Sequence, residues 1–120
     1  MSDHSTLAAG YIAAWNETDA DRRKQLVTDT FAESVSYRDP VMQGDGHDGV
    51  DQLIAGVHER FPGFRFALKG DAEVFGDILR FSWTLGPDGV EAPIEGTDYV
   101  VVEDGLMARV TGYLDKVPAH

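Results

Sequence analysis

Along the 120 residues the spacing of apolar side chains changes once, at Pro62. Ahead of it, Leu7, Ala8, Tyr11, Ile12, Ala14 and Trp15 recur at the interval that puts side chains on one helix face. They predict a first helix from Ser5 to Trp15, with Ser2, Asp3 or Ser5 available as its cap. The run Thr18-Asp19-Ala20-Asp21 predicts the start of a second helix, because acidic groups there favour the positive end of the helix dipole. That helix extends to about Thr28. Phe31, Ala32, Val35 and Tyr37 then read as an extended strand, which stops at Asp39-Pro40 because proline lacks the N–H a sheet ladder needs. A Gly-rich loop through Gly44, Gly46 and Gly49 follows. Asp48 is placed to cap a third helix, whose stripe of Val50, Leu53, Ile54, Val57 and Phe61 is the strongest helical signal in the chain and ends at Pro62-Gly63.

Beyond Pro62 the period becomes alternating. Phe64, Phe66 and Leu68 fall on one side and Arg65 and Lys69 on the other, which predicts a strand. Gly76-Asp77 marks a turn before a strand from Ile78 to Leu85, in which Leu79, Phe81, Trp83 and Leu85 share a face. Gly86-Pro87-Asp88-Gly89 is a second turn, and Asp104-Gly105 is the dipeptide of a tight hairpin between strands Ala92 to Glu103 and Leu106 to Leu114. Three N-terminal helices around one early strand, followed by a meander, give an α+β fold with helices packed on one face of a curved, mostly antiparallel sheet. A sheet curled around helices leaves a cone-shaped cavity, where a small molecule can bind.

Composition narrows the picture. With 42% hydrophobic residues, residues 1–120 suit a single domain with its own core. The absence of cysteine excludes disulfides, thiolate metal sites and a cysteine nucleophile, and makes a reducing, cytoplasmic setting the expectation. No apolar run approaches the roughly 20 residues of a membrane span. A net charge of −11 repels phosphate backbones and anionic lipid, so neither nucleic acid nor membrane is expected as a partner. No histidine and carboxylate spacing suggests a metal site, and no phosphate loop, nucleophile elbow or dinucleotide fingerprint is present.

Chemistry concentrates in a few side chains. Asp39 closes a strand beside a loop, where it either shapes the turn or faces a pocket. Asp98 is a lone carboxylate in Thr-Asp-Tyr-Val-Val-Val; it faces the pocket, pairs with Arg80 or Arg109, or points outward. Tyr11 has a hydroxyl for either a ligand or a core partner, and His47 lies in the loop near Asp39. Trp15, Phe66, Phe81 and Trp83 are candidates to line a cavity for a flat apolar ligand.

As a set, Tyr11-Ile12, Asp39-Pro40, Gly49-Val50-Asp51-Gln52-Leu53 and Thr97-Asp98-Tyr99-Val100 resemble the nuclear transport factor 2 superfamily, with its SnoaL-like cyclases and ketosteroid isomerases. The resemblance covers nearly the whole chain and implies a cone-shaped α+β barrel of the cystatin-like, SnoaL-like type and a homodimer through the sheet face. It further implies cofactor-free proton transfer next to a carbonyl, with Asp39 as general base and Tyr11 and Asp98 as donors to the oxyanion. His47, from its place in the loop beside Asp39 and not from the resemblance, is either an assisting acid or base or an exposed loop residue. For Asp98 to donate it must be protonated, which demands deep burial. In the isomerases further tyrosines support the oxyanion tyrosine, but the third-helix position that supplies one is Val57 here. Epoxide hydrolases of this fold carry aspartate two residues after a strand arginine, whereas Arg80-Phe81-Ser82 has serine. Two expectations stand: an isomerase or cyclase acting on a small apolar carbonyl compound, or a non-catalytic ligand-binding or dimerisation module. Fold alone does not choose between them.

Overall fold

A computed structural model describes residues 4–118. The helices are α1 (His4–Asn16), α2 (Ala20–Thr30) and α3 (Gly46–Arg60); the strands are β1 (Phe31–Arg38), β2 (Gln43–Asp45), β3 (Arg65–Phe75), β4 (Ile78–Gly86), β5 (Ile94–Glu103) and β6 (Leu106–Lys116). The six strands form one sheet in the order β2-β1-β6-β5-β4-β3. The expected meander is present from β3 to β6. β1 lies beside β6 and runs parallel to it, with Tyr37 opposite Val110, so the sheet is mixed. It is also open, with β2 and β3 as its edges.

Local chemistry explains the boundaries. Asp19 caps α2 as anticipated, its side chain accepting from the Arg22 N–H at 2.9 Å. The Asp104-Gly105 hairpin has both residues at positive φ, 53° and 78°, the geometry that matches the twist of paired strands. Pairing is irregular between Lys69 and Glu73 and at Glu95/Gly96 and Val101/Val102, the kind of register shift that bends a strand and increases its twist. The inner face carries Leu79, Phe81, Trp83 and Leu85 from β4 against Ala8, Tyr11 and Trp15 from α1, all buried.

Three expectations change. Asp45, not Asp48, is the N-cap of α3 and makes no side-chain cap hydrogen bond; Asp48 lies in the first turn, where its charge still suits the dipole. Phe61 is the C-cap of α3, outside the helix proper. Residues 43–45, expected as loop, pair with β1 as β2, Gly44 opposite Tyr37. Gly44 allows this because a side chain there would come within 3.0 Å of the Gly49 carbonyl oxygen on α3. Ser5 lies inside α1, and the other caps proposed for that helix, Ser2 and Asp3, lie outside the described residues. Among the described residues no helix is long and apolar enough to cross a membrane.

One close approach fixes the cavity wall. Trp83 on β4 sits opposite Gly96 on β5, and a Cβ at Gly96 would lie 2.7 Å from Trp83 Cε2, inside the ring's contact distance. The indole therefore lies over the glycine. Gly96→Ala is expected to lower stability by about 1–3 kcal/mol in urea denaturation and to alter the near-ultraviolet signal of tryptophan. Wild-type stability in that variant would mean the indole is free to move.

Candidate active site

Between α1, α3 and the inner face of the sheet lies a cavity of about 400 Å³, within the range of small-molecule sites. Tyr11, Trp15, Tyr37 and Trp83 belong to its buried inner wall, while Val41, Gln52, Gly56, Arg60, Val117 and Pro118 are the exposed members of its lining. Asp39 lies on this lining, and Asp98 does not.

The end of β1 brings Tyr37 and Asp39 together. Tyr37 is in β1 and Asp39 follows its last residue, two positions on, and the Tyr37 hydroxyl donates to Asp39 Oδ2 at 2.6 Å. The other carboxylate oxygen accepts the backbone N–H of Val41 at 2.8 Å and of Met42 at 2.9 Å. Asp39 thus shapes the turn after β1 and lines the cavity as well. A carboxylate has about four acceptor positions, so three hydrogen bonds leave room for one proton.

Asp98 sits deeper, at 1% exposure. The Tyr11 hydroxyl donates to its Oδ2, and its Oδ1 has no hydrogen-bond partner. Burial pushes the Asp98 carboxyl up to about 6, against the pull of the Tyr11 hydroxyl and the nearby Trp83 indole; the charge of Asp39 adds to the rise. Burial likewise holds the Tyr11 hydroxyl well above the ordinary phenol range, with Asp98 the next cause, so Tyr11 remains a donor. Tyr37 is raised by burial and then by Asp98 and Asp39.

What lets the two carboxylates approach is Gly112. It pairs with Asp98 across β5 and β6, and a Cβ on it would sit 2.8 Å from Asp98 Oδ1 and 3.2 Å from Asp39 Cβ. Asp39, Asp98, Tyr11 and Tyr37 therefore form one cluster at the inner end of the cavity.

The remaining candidates divide. Trp15, Phe66 and Trp83 line the cavity; Phe81 packs edge-on against Tyr11, with ring centroids 4.9 Å apart, and does not. His47 is outside the cluster, its Nε2 2.8 Å from the Phe31 carbonyl oxygen. His58 holds the Trp15 carbonyl at 2.7 Å, a structural tie between α3 and α1. Asp98 makes no ion pair with Arg80, which pairs with Glu73. Among the described residues no group of three His, Asp or Glu side chains is placed to hold a metal ion. Tyr37 is the member that sequence reasoning missed. Its signal was the Tyr-x-Asp spacing at the strand's end, and its hydroxyl stands beside Tyr11 and the carboxylates where Val57 brings none.

Comparisons with known proteins agree with this architecture. The family model described as SnoaL-like domain matches residues 8–110. A proposed isomerase of the SnoaL-like family from Agrobacterium tumefaciens is 41% identical, with a TM-score of 0.89 over 96% of this chain and 99% of that one. A proposed polyketide cyclase from Sinorhizobium meliloti has 17% identity and a TM-score of 0.71, with 89% of this chain and 93% of that one covered. A proposed ketosteroid isomerase from Kribbella flavida has 20% identity and a TM-score of 0.71, with 98% and 81% covered. The last two likenesses are of fold. No curated protein matches the sequence.

The raised Asp98 has a consequence for stability. Its folded value, about 6, exceeds the ordinary 3.8, so the folded protein holds a proton that the unfolded chain releases between those pH values. Stability from this group is therefore greatest below about 4, declines as pH rises to about 6 and is level above. The total is on the order of 3 kcal/mol. Asp98→Asn removes the titration, so its thermal midpoint should gain on the wild type as pH rises from 4 to 7; a gap that does not change with pH would show that the carboxyl is not titrating in this range.

Proposed function

The chain belongs to the SnoaL-like domain family, and we propose that its cavity serves a cofactor-free acid/base isomerase or cyclase acting on a small apolar carbonyl compound. The observation that carries this reading is the meeting of Tyr11, Tyr37 and Asp39 at one end of a mostly apolar cavity, with Asp98 held behind Tyr11 by its hydroxyl. Asp39 takes the proton from the carbon next to the carbonyl, leaving the electron pair on oxygen as an enolate, and returns that proton to another carbon. Tyr11 donates its hydrogen to the enolate oxygen. Asp98 acts through Tyr11. Ionised, it holds the tyrosine hydrogen for itself; protonated, it donates to Tyr11 Oη and turns that hydrogen toward the ligand. Tyr37 holds Asp39 in place through the hydrogen bond to Oδ2.

A non-catalytic ligand pocket is the second reading, favoured by the turn-shaping hydrogen bonds that Asp39 makes to Val41 and Met42. The homodimer belongs to this proposal too, through the outer sheet face where Tyr99 and Tyr113, 40% and 54% exposed, meet edge to face. At micromolar concentration light scattering should give twice the chain mass, and Tyr113→Arg should halve it.

Incubation with an isomerisable enone separates the two readings. Asp39→Asn should reduce the rate roughly a hundred- to ten-thousand-fold and Tyr11→Phe roughly a hundred-fold or more. The wild-type rate should fall as pH rises through about 6, and Asp98→Asn should flatten that limb. Equal rates in the wild type and Asp39→Asn remove Asp39 as the base.

A further inference from the structure

The wall that α3 gives to the cavity has a feature that proton transfer leaves unused. Gln52, Gly56 and Arg60 line it at four-residue intervals, one face of the helix. Glycine inside a helix is destabilising relative to alanine and needs a reason. At Gly56 neither of the usual ones applies. Its φ is not positive, and a Cβ there would meet nothing within 4 Å. The missing side chain therefore serves no contact within the protein; it leaves cavity space.

One turn further along the same wall is Arg60, exposed. The chain has ten Lys and Arg against 21 Asp and Glu, so partners for a cation are abundant. Arg22, Arg23, Lys69, Arg80 and Lys116 have one, whereas Lys24, Arg38, Arg65 and Arg109 have none among the described residues, so it is position and not lack of a partner that sets Arg60 apart. Among the described residues Arg60 has no carboxylate within ion-pair distance, although it is the one cation of the cavity lining. A cation in the last turn does suit the helix dipole, and His58 shares that turn. The dipole, however, requires neither a cavity nor a glycine one turn earlier.

We infer that the ligand is a keto acid: an apolar carbonyl compound whose far end carries a carboxylate, which passes over Gly56 and ends on Arg60. This rests on the proposed function for the carbonyl end alone. The planar guanidinium presents paired N–H donors that match a carboxylate. A single cation in a chain of net charge −11 suits a monoanion better than a phosphate dianion. The cavity is then polarised, with a proton-transfer end at Asp39 and Tyr11 and an anion-binding rim at Arg60.

The probe is an acetylnaphthoate, with ketone and carboxylate at opposite ends of an apolar body, compared with its methyl ester. Binding is read from the fluorescence of Trp15 and Trp83, which line the cavity. The wild type should prefer the acid roughly fivefold at low salt, as expected of an exposed charge pair, and less at high salt. Arg60→Met should abolish the preference while holding the ester affinity within about twofold, and Arg60→Lys should retain part of it. Gly56→Leu should weaken both ligands. An unchanged preference in Arg60→Met, a wild type that favours the ester, or a wild type that binds neither overturns the inference. The enone assay is independent: a lost preference in Arg60→Met together with an undiminished rate in Asp39→Asn keeps the anion site and removes the acid/base reading.

Discussion

The site depends on the burial of one carboxyl group. Asp98 is on a central strand with a single hydrogen-bond donor, the Tyr11 hydroxyl, and an oxygen that has none. An ionised group in such surroundings costs several kcal/mol unless it is paired, and among the described residues no cation pairs with it; the carboxyl answers by holding its proton more tightly. Its neighbours follow from that. Tyr11 must stand over it as a donor, and the negative charge of Asp39 one strand beyond β6 strengthens its hold on the proton.

Space for this cluster is made by omission. β6 runs between β1, which leads into Asp39, and β5, which carries Asp98, and any side chain at Gly112 would separate the two carboxylates. Gly96 does the same for the indole of Trp83. Large rings packed over bare backbone give a rigid wall, and the absence of a Cβ at two strand positions sets where that wall stands. The polar groups are supplied by different elements, α1, β1 and β5, so their positions are fixed by the packing of the whole sheet against the helices and not by any one loop.

How far the sequence revealed this can be argued residue by residue. Helical stripes and alternating strands are signals repeated over many positions, and the helices and the meander were legible from them. Asp39 was legible because proline stops a strand, and Asp98 because a lone carboxylate among valines stands out. β2 was not, since Gln-Gly-Asp has no apolar alternation and its pairing rests on Gly44 fitting against Gly49, a contact across the fold. Tyr37 read as an ordinary strand aromatic, and only its distance to Asp39 gives it a role. Phe81 has the parity of a cavity residue, yet Tyr11 covers it. Pairing between β1 and β6 is equally hidden, because periodicity records which face a strand buries and not which strand it adjoins.

That pairing constrains how the polypeptide acquires its shape. Tyr37 and its neighbours on β1 find their parallel partner only in β6, the final strand. During synthesis α1, α2 and β1 leave the ribosome long before that partner exists, and the apolar faces of Phe31 and Val35 must wait, exposed or loosely covered by helix. The hairpin with β2 closes a short loop and the pairing with β6 a long one, so the side of β1 that meets β6 carries the greater cost of loop closure.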